Sequence, residues 1–161
     1  MIQAVRETAF TAWLSLEDSR IDNSVALSKV RHLFKFINDM DKAVFYAYPI
    51  NESNANPRYT ECLFHYNIAP DIYSGTTKLI PAGYYKYEVY EVTWAGAVTL
   101  SAGNAPATED DVLSPPSSDK GIVQGLVGIG KLYLAEKVGS EQVQYNQHPE
   151  PAGTNYIYYG Q

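Results

Sequence analysis

The chain has 161 residues, 19% charged and 13% aromatic, with 14 tyrosines against 5 phenylalanines and a net charge of −6. That length suits a single domain, 1–161, whose core can form without metals or disulfides, and a lone Cys62 excludes an intrachain disulfide. The acidic balance, with no Lys/Arg cluster, argues against a nucleic-acid partner, which needs a basic footprint to neutralise phosphates.

No basic-then-apolar leader opens the sequence, and no apolar run approaches the roughly 18 residues that cross a bilayer. The expectation is a protein made in a cytosol, with no membrane partner. Tyrosine joins apolar area to a hydroxyl, so its abundance suits half-wet sheet faces and interfaces.

Residues 1–8 are a candidate N-terminal arm. In residues 8–16, Phe10, Ala12, Leu14 and Leu16 alternate with Thr11, Trp13 and Ser15, the period of a half-buried strand. A polar loop, 17–24, precedes a second alternation, with Val30, His32, Phe34 and Phe36 inward and Lys29, Arg31, Leu33 and Lys35 outward. Asn38-Asp39-Met40-Asp41 reads as a turn, after which Val44, Tyr46, Tyr48 and Ile50 complete a hairpin. Residues 51–58 are a loop by composition. Thr60, Cys62, Phe64, Tyr66 and Ile68 then line the apolar side of another strand, which makes Cys62 a small buried hydrophobe rather than a nucleophile.

Residues 70–75 turn the chain, 76–80 form a short strand, and Pro81-Ala82-Gly83 turns it again into a long strand over 84–94. Within that strand Tyr85, Tyr87 and Val89 share one face, whereas Tyr90, Val92 and Trp94 share the other. Either both faces are covered there, or a bulge near Val89-Tyr90 shifts the strand between two sheets, which is the expectation adopted here. Residues 95–121, rich in Ala, Gly, Ser, Pro and Asp, form a long loop or insertion of a length that is usually functional or disordered. Residues 122–135 return to a glycine-spaced strand. Residues 139–161 are a candidate C-terminal arm ending in the apolar run Tyr156, Ile157, Tyr158 and Tyr159. Such a run either adds an edge strand to its own sheet or docks on a neighbour.

No amphipathic helix competes with these strands. Eight or nine strands predict an all-β fold, an antiparallel β-sandwich of Ig-like or jelly-roll-like type with a long loop insertion and extended termini.

The motifs carry no convincing chemistry. Gly125 to Gly130-Lys131 matches the glycines and lysine of a phosphate-binding loop, but Leu132 stands where a Mg²⁺-binding hydroxyl belongs, and a strand follows instead of a helix. His32, His65 and His148 have no metal-ligand spacing. The acidic loops Glu17/Asp18/Asp22 and Glu109/Asp110/Asp111 lack the spacing and internal glycine of an EF-hand. No nucleophile elbow or Cys/His pairing is present. No catalytic residue, metal or cofactor is assigned.

Phe34-Lys35-Phe36-Ile37-Asn38-Asp39, Asn56-Pro57-Arg58-Tyr59, Ser74-Gly75, then Pro81-Ala82-Gly83-Tyr84-Tyr85-Lys86-Tyr87-Glu88-Val89-Tyr90-Glu91 and Gly130-Lys131-Leu132-Tyr133-Leu134 stand in this order. The series resembles small all-β structural proteins of tailed-bacteriophage virions, of the head decoration or auxiliary type, and leaves 95–121 and the C-terminal stretch outside the pattern. The resemblance implies a non-enzymatic decoration or cement protein in the virion, bridging subunits of the major capsid protein. Tyr156, Ile157, Tyr158 and Tyr159 would be partner contacts, and homo-oligomers would be compatible with the role. A tail or connector component is the first alternative. The second is a host-surface or carbohydrate-binding module, with Trp13, Trp94 and tyrosines as its stacking platform.

Overall fold

The computed structural model describes residues 1–56, 58–137 and 139. They form nine strands: β1 (Ile2–Val5), β2 (Phe10–Leu14), β3 (Val30–Asn38), β4 (Val44–Ala47), β5 (Asn51–Asn56), β6 (Tyr59–Tyr66), β7 (Thr76–Thr77), β8 (Gly83–Thr93) and β9 (Ile122–Ala135). Helical structure among these residues is limited to single 3-10 turns at Glu17–Ser19, Leu27–Lys29 and Ile72–Ser74. One sheet has the order β1-β9-β8-β3-β4, and the other has β2-β6-β5 with β7 against the end of β6. The sheets stack as a β-sandwich-like all-β fold.

Most pairings are antiparallel, but β1–β9 and β6–β7 are parallel, a departure from the purely antiparallel expectation. Residues 2–5 are likewise no free arm. Ile2 and Ala4 are buried, and β1 pairs with residues 132–135 of β9. The Asn51–Asn56 stretch, which composition reads as a loop, is strand β5, paired with β6. An edge strand has one ladder and one wet side, so polar residues suffice there.

The main core lies between the sheets. Phe10, Phe34, Phe36 and Phe64 cluster across it, with Phe34–Phe64 ring centroids 4.9 Å apart and Phe10–Phe64 centroids 5.1 Å apart. Each aromatic pair of this kind adds about 0.5–1.5 kcal/mol beyond its buried area. Cys62 is buried on the same face, and burial pushes its thiol pKa well above the ordinary value. On β4 the inward residues are Phe45 and Ala47, opposite Phe36 and Phe34. The hairpin alternation expected for Val44, Tyr46 and Tyr48 therefore points away from this core.

The outward set belongs to a second core. Leu33, Tyr48, Val92, Trp94 and Ala105 are all buried, with Tyr46, Tyr90 and Val123 packed against them. Residues 95–121 supply the cover: they contain no regular strand or helix and lie over the outer face of the five-stranded sheet. This answers the odd pattern of β8. Its register with β3 runs unbroken from Val30↔Thr93 to Asn38↔Tyr85, so the strand does not switch sheets, contrary to the expectation. Both faces are covered instead. The irregularity near Val89-Tyr90 sits on the partner strand: Val89 faces Gly128 while Tyr90 faces Leu126, leaving Val127 as the extra residue of a bulge in β9.

Candidate interaction surfaces

Residues 95–121 need internal partners because they have no ladder. Gly96 N–H donates to Ser118 O at 2.6 Å, Gly121 N–H to Asn104 O at 2.8 Å, and Ala107 N–H to Asp111 Oδ2 at 2.7 Å. Side chains of the sheet then anchor the segment. Tyr48 Oη donates to Pro106 O at 2.8 Å, and Trp94 Nε1 donates to Asn104 O at 3.3 Å. The approach is close: a Cβ on Gly121 would lie 2.6 Å from the Trp94 ring.

A charged clasp holds the outer rim. Lys35 Nζ donates to Glu109 Oε1, Tyr46 Oη donates to Glu109 Oε2 at 2.7 Å, and Glu88 lies 3.8 Å from the same lysine. Tyr90 Oη donates to Glu88 Oε2 at 2.8 Å, and Lys86 Nζ to Glu88 Oε1 at 2.6 Å. Partial burial pushes the Glu109 pKa up, but hydrogen bonds from Lys35 and Tyr46 outweigh it and hold the carboxyl below its usual range. The Lys86 hydrogen bond does the same for Glu88, against a smaller burial effect. The Glu109 hydrogen bond raises the Lys35 pKa, and burial followed by carboxylate contacts raises those of Tyr46 and Tyr90. Five groups thus favour one protonation pattern near neutrality. Their arrangement is a clasp that ties residues 95–121 to the sheet.

Two further polar groups are buried between the sheets. His32 Nδ1 and Glu52 Oε1 are 2.6 Å apart with side chains 5% and 4% exposed, and His32 N–H also donates to Glu52 Oε2 at 3.2 Å. The pair links β3 to β5 across the core. Glu91, fully buried, accepts from Ile21 and Asp22 N–H, both at 3.0 Å, and fixes the polar loop 17–24. Asp22 in turn accepts from Ser24, so this acidic loop is spent on its own conformation. Among the described residues no three His, Cys, Asp or Glu side chains cluster as metal ligands would. Gly125, Gly130 and Lys131 all lie within β9, where Lys131 pairs with Asp39 at 2.6 Å. The glycine pattern is therefore strand packing: a Cβ on Gly130 would sit 2.5 Å from the Tyr87 hydroxyl.

The surface that remains open is the part of the β8–β9 outer face that residues 95–121 do not cover. Tyr84, Leu126, Ile129 and Tyr133 are 54%, 47%, 58% and 38% exposed, and the Tyr84 and Tyr133 rings lie 4.9 Å apart. The register puts all four on one side of the sheet. Of the segment's tyrosines, Tyr85 and Tyr87 are core residues and Tyr90 is half-buried, so Tyr84 is the one presented. Trp13 is 61% exposed, but Trp94 is fully buried and cannot serve a stacking platform. His148 and the Tyr156, Ile157, Tyr158, Tyr159 contacts lie outside the described residues. No described helix is long and apolar enough to cross a membrane.

Lys35, Tyr46, Glu88, Glu109, His32 and Glu52 are the residues that sequence reading missed as a set. Their partners are 20 to 74 positions apart, so only period-2 inward placement of His32 hinted at any of them. Compared with protein-family models, curated proteins and solved structures, the chain matches none.

Proposed function

We propose that this chain is a non-enzymatic structural protein of a tailed-bacteriophage virion, a decoration or cement protein that bridges major capsid protein subunits. The observation that carries the reading is the set of exposed side chains Tyr84, Leu126, Ile129 and Tyr133 on the outer face of β8 and β9, with the lysines Lys86 and Lys131 between the two tyrosines and Ile129. Large exposed apolar side chains interspersed with charges suit protein contact, and Tyr is favoured at such contacts. The resemblance of residues 34–134 to small virion proteins supplies the kind of partner. A protein of this sort gains attachment strength from many weak contacts on one lattice. The nine strands in two sheets suit an Ig-like sandwich in number.

A tail or connector component is the second reading, favoured by the same strip if copies pack side by side in a ring. The host-surface module loses one of the two tryptophans of its platform with Trp94 buried. Quantitative mass spectrometry of purified virions separates the first two: a decoration protein is present in numbers that scale with capsomers, a tail component in numbers of a single ring. Leu126→Glu with Ile129→Glu should abolish binding to capsids while the protein still melts cooperatively. Unchanged binding by that variant refutes the strip as the contact.

A further inference from the structure

The two sheets meet differently along their two seams. On the β4 side the seam is closed, with Tyr48 N–H donating to Ile72 O at 2.8 Å. On the other side β1 and β2 are the outermost strands of their sheets, and a groove of about 570 Å³ lies between them. That volume is within the range of about 300–1,000 Å³ that holds small molecules.

The ladders determine which backbone groups face this groove, because successive residues of a strand direct their N–H and C=O to opposite sides. On β6, Leu63 O accepts from Ile50 N–H, so Leu63 directs its main-chain groups to the β5 side. Its register partner Thr11 therefore directs its own away from β6, and Trp13, two residues on, does the same. On β1, Arg6 N–H donates to Ala135 O, which gives the even-numbered residues to β9 and leaves Gln3 and Val5 facing outward. Val5 O is already taken, by Thr8 N–H at 3.2 Å and Thr8 Oγ1 at 2.8 Å. Gln3, Thr11 and Trp13 thus bring open N–H and C=O groups to the groove. Among the described residues, the side chains of these three and the Tyr133 hydroxyl have no hydrogen-bond partner either. Trp13 is 61% exposed. No residue lining the groove is charged, although 19% of the chain is.

We propose that this groove is a binding site for a neutral oligosaccharide. A pyranose ring has a face of C–H groups with slight positive charge, which packs on the negative face of an indole, and Trp13 supplies that face. Sugar hydroxyls both donate and accept. The Gln3 amide, the Thr11 and Tyr133 hydroxyls and the open main-chain groups supply partners of both kinds. Uncharged walls match an uncharged ligand, since a carboxylate or ammonium would lose hydration there without a counter-charge. An added peptide strand fits less well. Strands usually run about 5–6 residues, whereas β2 offers the open groups of two residues and β1 those of Gln3 with a single N–H of Val5. This site does not depend on the virion reading, whose test substitutes Leu126 and Ile129.

The probes are four neutral hexasaccharides, maltohexaose, cellohexaose, mannohexaose and chitohexaose, each added to about 10 mM, tenfold above a millimolar dissociation constant. An acetylated, amidated pentapeptide of alternating threonine and valine is the competing ligand. In nitrogen–proton correlation spectra at least one sugar should saturably shift the Trp13 indole N–H and the Gln3 and Thr11 amides. The indole N–H of the fully buried Trp94 should stay in place. Trp13→Ala should weaken that binding about tenfold. Thr11→Val, which removes a hydroxyl and keeps the shape and the indole, should weaken it about threefold. Both variants should melt as the parent does. A response to none of the four sugars overturns the proposal, and so does sugar binding that both variants leave intact. Saturable shifts of the same resonances by the pentapeptide alone overturn it too, since the groove would then be a strand-addition site.

Discussion

Glu109→Ala tests whether the clasp holds residues 95–121 onto the sheet. The substitution removes the charged hydrogen bond from Lys35 and the 2.7 Å bond from Tyr46. A hydrogen bond to a charged group contributes about 1.5–3 kcal/mol. Here Lys35 keeps 17% of its side-chain area exposed and retains Glu88 at 3.8 Å, so its charge is not stranded, while the half-buried Tyr46 hydroxyl loses its acceptor. The expected loss is about 1–2 kcal/mol, or about 2–8 °C in melting temperature for a chain of this size. Glu109→Gln keeps an acceptor without the charge and should lose about half as much. A double-mutant cycle with Lys35→Met should return a coupling of at least about 0.5 kcal/mol. Because the clasp joins a ladderless segment to a laddered sheet, amide exchange should accelerate at residues 104–111 before it does in β3 or β8. A Glu109→Ala protein within about 0.5 kcal/mol of the parent, with unchanged exchange over 104–111, refutes the reasoning.

Three other outcomes follow from named contacts. Gly130→Ala places a methyl 2.5 Å from the Tyr87 hydroxyl and should cost about 1–3 kcal/mol by urea denaturation; Tyr87→Phe in the same chain should recover part of it. Glu52→Ala removes the hydrogen-bond partner of the buried His32 imidazole and backbone N–H and should cost about 1–3 kcal/mol; His32→Leu with Glu52→Met should cost clearly less, measured in the same denaturation series. The pH dependence has a definite sign at each end. Glu88 and Glu109 have folded pKa values below the ordinary 4.5, so their contribution is full above 4.5 and is lost as pH falls through the lower folded values. Tyr46 and Tyr90 are raised above 10.0 and Lys35 above 10.5, so their contribution is full below those values and is lost as pH rises through the raised ones. A urea-midpoint profile should therefore fall at both ends, with a shallower acid limb in Glu109→Gln.

Alternation made much of the scaffold readable. Phe10, Ala12, Phe34, Phe36, Cys62 and Phe64 are buried as their period-2 spacing requires, because a strand with one buried face must repeat every second residue. The same rule misplaced β4, where Tyr46 and Tyr48 on one side and Phe45 and Ala47 on the other can all be buried, and the pattern alone cannot say which face meets which core. It also missed β5, whose polar residues are acceptable on an edge. On the outer face, Tyr84, Leu126, Ile129 and Tyr133 come together only through the β8–β9 pairing, with a bulge at Val127 setting their alignment.

The long tyrosine-rich strand, the all-β character and the absence of any local catalytic motif were settled by residue order alone, because strand period and turn chemistry are local properties. Which faces of β8 are buried, why Leu33 is inside, and how Glu109 reaches Lys35 were decided by the tertiary structure. Those outcomes depend on segments far apart in the chain burying one another's apolar surface and satisfying one another's polar groups, and no local pattern encodes that meeting.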